Sequence, residues 1–180
     1  MYWLDEVKAR MKRGNKILFS KGCELLLPLA ADLEDTEHRA AVLWALEFAD
    51  GAAENLAERH TEEIRPQLAV LAAREWAAGR MKMREAQRRI LDCHAAAKEL
   101  DTVADAALCH AIGQGCAVVH TAGHALGLPM YELSALVYRL GADNCAAAVE
   151  ARAGEYLTRL RWWKRHAQEY RGTWAAFLER

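Results

Sequence analysis

The stretch "HAIGQGCAVVHTAGHALGLP", residues 110–129, places three histidines within fifteen positions and surrounds them with glycine and alanine. From Ala106 to Tyr131 there is no Asp, Glu, Lys or Arg. A run of that length raises the question of a membrane span, but Gly, Gln, Thr and His dilute its apolar character. A helix without a charged face is the buried centre of a helical bundle. The segment therefore predicts an all-α protein: a bundle of seven to eight helices around one central uncharged helix over about 103–126.

The rest of the chain agrees. Its 180 residues fit one domain, 1–180, large enough to enclose a core. Only three prolines and eleven glycines interrupt an alanine-rich sequence, which favours helix. The net charge of −1 points to neither nucleic acid nor a membrane surface. Five cysteines, Cys23, Cys93, Cys109, Cys116 and Cys145, form an odd set without short paired spacing. With no secretory h-region in "MYWLDEVKARMKRGNK", they suggest free thiols in a reducing cytoplasm.

Helical periodicity recurs along the chain and no long period-two stretch suggests a sheet. Helices are expected over about 2–12, 21–33, 36–59, 83–99 and 129–140. Pro66 opens another that closes near Gly79, and residues 144–178 read as one long or two shorter helices. Asp101 or Thr102 caps the central segment. On 36–59, Val42, Leu46, Ala49, Ala53 and Leu56 form an apolar stripe widened by Trp44 and Phe48. Glu47, Asp50, Glu54 and Glu58 form an acidic ridge on the remaining arc.

Charge is unevenly spread. Residues 22–64 hold eleven acids and two bases, a balance of −9, whereas 1–21 hold six bases and two acids, and 151–180 seven bases and three acids. Such blocks are either solvated faces or a docking face for a partner of opposite charge. "LRWWKRH" (160–166) mixes basic and aromatic residues, which on an amphipathic helix reads as a docking face before it reads as a nucleic-acid or lipid contact.

As one continuous helix, the central segment puts Leu108, Ala111, Ile112, Val119, Ala122 and Leu126 on one face. His110, Gly113, Ala117, His120 and His124 fall opposite. At ~1.5 Å per residue His110 lies about 15 Å from His120, too far to share a metal ion. Only His120 and His124 could do so, with further ligands from His94, His38, Glu47, Asp50 or Glu132. "HTAGH" lacks the Glu of the H-E-x-x-H zinc signature. The favoured reading is a buried polar cluster of Glu47, Asp50, His94, His110, His120 and His124, in which imidazoles meet carboxylates. No metal or other cofactor is expected, a metal at His120 and His124 being the alternative. Ser20 and Ser134 lack a nucleophile-elbow context, and "GQG" is a packing feature rather than a phosphate loop.

Four blocks carry a resemblance: "VLWALEFADGAAENL", "RPQLAVLAAREWAAGRMKM", "ILDCHAAAKEL" and "ALCHAIGQGCAVVHTAGHALGLPMYEL". In that order they resemble the immunity-protein-five-like group, bacterial immunity proteins that accompany polymorphic toxin systems. The resemblance spans about residues 25–140, leaving an N-terminal arm at 1–20 and a C-terminal helical arm at 141–180. It includes Trp44, Glu47, Asp50, Arg65, Pro66, Trp76, His94, His110, His120 and His124. It implies a non-catalytic, helical inhibitor that neutralises a cognate protein toxin in the cytoplasm, with neither membrane nor direct nucleic-acid contact. On that reading the acidic block, through Glu54, Glu58, Glu62 and Glu63, would meet a basic toxin face. A small metal-dependent hydrolase and a helical scaffold with another partner are the alternatives.

Overall fold

A computed structural model describes residues 2–179, and every regular element in it is helical. The α-helices are α1 (Tyr2–Lys12), α2 (Leu27–Glu34), α3 (His38–Ala57), α4 (Arg65–Ala77), α5 (Met83–Ala96), α6 (Val103–Ala117), α7 (Gly127–Leu140) and α8 (Ala146–His166). Short 3₁₀ turns follow at Ala122–His124, Ala167–Glu169 and Ala176–Leu178. No helix is long and apolar enough to cross a membrane among the described residues.

The punctuation follows the residues. Pro66 sits in the first turn of α4, where its missing N–H is no loss. Gly79 and Gly141 adopt φ of 75° and 79° just past α4 and α7, a region that a Cβ disfavours. Thr102 caps α6, its Oγ1 accepting from Asp105 N at 3.0 Å. The helix expected over 21–33 begins only at Leu27. Pro28 lies in its first turn, and a helix running in from residue 21 would have buried that ring in its interior.

One difference matters more. The central helix expected to reach residue 126 stops at Ala117. Val118 N and Val119 N make only tightened bonds, to Gly115 O and Cys116 O at 3.3 and 3.4 Å, and Thr121 is extended (φ −149°, ψ 125°). Val118, Val119 and Thr121 are β-branched and weak helix formers. His38 Nε2 on α3 donates to the freed Val118 carbonyl at 2.6 Å, so a foreign side chain satisfies the helix end. Ala122, placed on the apolar face by a continuous wheel, is exposed.

α6 is nonetheless central: α3, α4, α5 and α7 all pack on it, while α8 covers α2, α3 and α7. Val42, Trp44, Leu46, Phe48, Ala49, Ala53 and Leu56 of α3 are buried as the stripe predicts. Gly115 admits this packing, because a Cβ there would lie 2.5 Å from Leu128 Cδ1 and 3.0 Å from Ala49 Cβ. The small residues of "GQG" are close-approach positions.

Candidate functional site

The expected cluster of six residues divides. Glu47 on α3 turns to α8, where Arg159 Nε and Nη2 donate to its two oxygens at 2.8 and 2.9 Å and Trp163 Nε1 donates as well. Asp50 pairs with Arg74 of α4 at 3.0 Å. Neither carboxylate meets a histidine. An imidazole is a weak competitor for them, because a guanidinium is always charged and matches a carboxylate two bonds at a time. Glu132, another expected partner, is buried instead against Arg152 (Nε 3.0 Å, Nη2 2.7 Å) and the Tyr156 hydroxyl.

The histidines gather on the opposite flank without carboxylates. His94 of α5 and His110 of α6 meet Nδ1 to Nδ1 at 2.9 Å. At that distance one nitrogen donates and the other accepts, so at most one of the two Nδ1 atoms carries a proton. Burial, with His110 and His124 nearby, lowers the pKa of His94 to about 4. Burial and the charges of Lys16 and Lys98 lower that of His110 too. The pair is neutral at pH 7. Gly113 makes it sterically feasible, since a Cβ there would lie 2.5 Å from His94 Cε1 and Nε2.

The preceding residues pair as well. Cys93 and Cys109 place their sulfurs 3.7 Å apart, each donating to the other's backbone carbonyl at 3.3 and 3.0 Å. All five cysteines are free and buried. The contact with Cys109 and burial push the Cys93 thiol far above its ordinary value, and burial pushes Cys116 up to about 12. A thiol so disfavoured as thiolate is a packing group, not a nucleophile.

His120 and His124 are not one helical turn apart, because the chain between them is extended at Thr121. His120 is exposed and stacks on Trp76 of α4, centroids 5.9 Å apart. His124 Nδ1 lies 3.1 Å from Gln114 Oε1, an oxygen that only accepts, so Nδ1 carries the proton. His94, His120 and His124 line an open cleft of about 340 Å³ together with Trp76, Leu91 and Gln114. Among the described residues no group of three or more His, Cys, Asp or Glu is placed to hold a metal ion.

A second groove, of about 520 Å³, runs between α3, α7 and α8 and is lined by Asn55, Glu132, Arg139, Arg152 and Glu155. Arg139 of that lining reaches Asp105, only 5% exposed, which sequence reading passed over because it falls just before the uncharged run. Arg59 Nη2 at 2.8 Å, His60 Nε2 at 3.0 Å, Thr102 Oγ1 at 2.9 Å and Arg139 Nη2 at 3.3 Å converge on it. Burial alone would raise its pKa, but the bonds from His60, Arg59 and Thr102 win and hold it near 2. The signal was a Thr followed three residues later by an acid at a helix start.

Three acids of the 22–64 block pair with the basic C-terminal block. α8 sends Arg159 to Glu47, Arg161 to Asp32 at 2.6 Å and Lys164 to Asp35. "LRWWKRH" is thus a docking face within the molecule: Trp163 packs on the core and Arg159 lies 4.5 Å over the Trp162 ring. Of the four carboxylates expected to bind a partner, Glu63 is half-buried and tied to Arg65, Nε to Oε1 at 2.8 Å. Glu54, Glu58 and Glu62 are exposed and form no ion pair among the described residues.

The family model described as "Imm-5 like putative immunity protein" matches residues 31–159. The match takes in α3 to α7 and much of α8, further than the blocks at 25–140, and leaves out α1 and the last turns. The curated proteins and the solved structures give no match.

Proposed function

Because the chain belongs to the Imm-5-like immunity protein family, we propose that it binds and neutralises a cognate protein toxin in the bacterial cytoplasm. It does so by occupying a surface of the toxin, without catalysis and without a cofactor. The observation that carries the choice of face is the unequal fate of the acidic block. Asp32, Asp35 and Glu47 pair with α8 and leave Glu34 as a lone exposed acid among them. Glu54, Glu58 and Glu62 instead stand exposed together, without ion pairs among the described residues, at the far end of α3 and the turn after it. Asn55, on the same stretch of α3, lines the 520 Å³ groove, so an unpaired acidic rim borders a concave surface. A basic toxin face would be drawn to that rim and seated by the groove, the rim governing association rate and register.

Co-expression with the toxin encoded beside this chain is the test. Wild-type protein rescues growth. The triple variant Glu54→Lys, Glu58→Lys, Glu62→Lys folds, since all three sites are exposed, and loses on the order of tenfold or more in association rate with the toxin. A triple variant that associates and protects like wild type would eliminate the acidic rim as the docking face. Failure of the wild-type protein to rescue would eliminate the immunity reading itself.

A further inference from the structure

The imidazole cleft is unlike the rest of the surface. None of its lining residues is an acid, a lysine or an arginine, and they combine an indole, three imidazoles, two side-chain amides and three aliphatic groups. That is the make-up of a binding pocket: mostly apolar walls and a few polar atoms that fix orientation. Its volume of about 340 Å³ accommodates one aromatic ring. Trp76 is itself buried behind the cleft, its ring stacked on exposed His120 and 5.9 Å from exposed Phe177, so the aromatic surface the cleft offers is the His120 ring. Leu91, 66% exposed, stands at the rim with nothing over it.

Hydrogen-bond polarity narrows the occupant further. His124 donates from Nδ1 to Gln114 Oε1, so a ring with a single proton offers Nε2 as an acceptor, and no described residue bonds to it. An acceptor-bearing aromatic cleft complements a ring that carries a donor. A carboxylate would face that lone pair, and a guanidinium or ammonium would approach beside Arg84 and Arg88, which lie one turn before Gln87 and Leu91 of the lining. A neutral phenol meets neither objection.

We infer that the cleft between α4, α5 and the 118–124 turn is a socket for a tyrosine side chain of the bound protein, its ring packed against His120 and Leu91 and its hydroxyl donating to the His124 imidazole. The toxin reading supplies only the identity of the protein that carries the tyrosine. Tyrosine is among the residues that dominate interface energetics when they fill such a pocket, and its two side-chain torsions cost little to fix.

The chemistry is tested on the purified chain with p-cresol, the free tyrosine side chain, followed by NMR of the Trp76 indole and the His94, His120 and His124 rings. p-Cresol shifts these signals saturably and binds about fivefold more tightly than toluene, the difference of one neutral hydrogen bond. Propionate at the same concentrations leaves them in place. His124→Gln, which retains an acceptor, keeps the preference for p-cresol, and His124→Phe abolishes it. No shift, equal affinity for toluene, or binding of propionate as strong as that of p-cresol overturns the assignment, and none of these depends on a variant folding. The role in docking is read with Leu91→Glu, a surface change that puts a charge on the rim. It reduces toxin affinity about tenfold or more, and unchanged affinity overturns the socket as a docking element. Because the p-cresol titration needs no toxin, its result stands whichever way the acidic-rim variant behaves.

Discussion

α6 separates two flanks built on opposite electrostatic plans. Toward α3, α7 and α8 the bundle is tied by ion pairs: Asp105 with Arg59, Glu132 with Arg152, Glu47 with Arg159. Where α5 and the turn after α6 meet α6, the contacts are made without an acid or a guanidinium: His94 against His110, Cys93 against Cys109, His124 against Gln114. The difference comes from the helices that close each side. α8 brings long cations that can reach acids on several helices, while α5 presents Cys-His directly opposite the Cys-His of α6. An ionic seam is selective because a lost partner strands a charge; a neutral one is soft because it costs a proton to disturb. The molecule therefore has one flank that fixes its helices and another that leaves an open acceptor for something outside.

Asp105→Ala damages the ionic flank most. It strands Arg59, His60 and Arg139 around an emptied position and removes the acid that Thr102 bonds at the start of α6. The expected loss is about 3 kcal/mol, within the range seen when one member of a buried ionic cluster is deleted. For a chain of this size that lowers the melting temperature by roughly 10 °C. A loss below about 1 kcal/mol in chemical denaturation would show the ionic flank to be no more selective than the neutral one.

Next in size is the response of the neutral flank to acid. His94 in the folded chain has its pKa lowered to about 4, against an ordinary value of 6.5. Between those values the unfolded chain binds the proton and the folded chain does not, so stability falls as the pH falls. The contribution is complete above about pH 6.5, declines through the interval and is lost by about pH 4. Down to pH 5 the expected decline is about 2 kcal/mol, with a further part from His110, whose shift has the same sign. His94→Asn keeps a polar group near the Nδ1 position and does not titrate, so its unfolding free energy should fall less between pH 7.5 and pH 5 than that of wild type. Equal pH slopes for the two proteins would place the acid sensitivity elsewhere. Asp105 cannot supply it, because its lowered pKa contributes only below about pH 4.

These two seams were unequally legible in the sequence. Helix number and several ends could be read locally, since Thr102, Pro66, Gly79 and Gly141 act on their immediate neighbours. The gathering of His94 and His110 on one seam could be suspected from residue type. What could not be read was partner choice. Glu47 finds Arg159 across 112 positions and Asp32 finds Arg161 across 129, and no periodicity connects such pairs. The helix break at 118–121 was hidden for another reason. It is made by β-branched residues in an apolar run and completed by His38 from α3, a tertiary contact that local propensity does not contain. Once the break was missed, the helical wheel placed His120 and His124 on one face and invited the metal alternative.

The smallest predicted effect limits how far the ionic flank extends. Arg161 and Asp32 sit 2.6 Å apart, but the arginine side chain is 56% exposed and the carboxylate 24%. Water screens the attraction, and holding a long side chain in one rotamer costs entropy comparable to the gain. Arg161→Ala should therefore change the unfolding free energy by less than about 0.5 kcal/mol. The contrast with Asp105 lies in surroundings rather than in distance, since Arg59 approaches Asp105 at 2.8 Å, no closer than Arg161 approaches Asp32. Asp105 has almost no water to turn to when its cations are removed, whereas Asp32 does. A loss above about 1.5 kcal/mol for Arg161→Ala would mean that the α2–α8 contact is as dry as the seam around α6, and that the selective flank reaches the outer edge of the bundle.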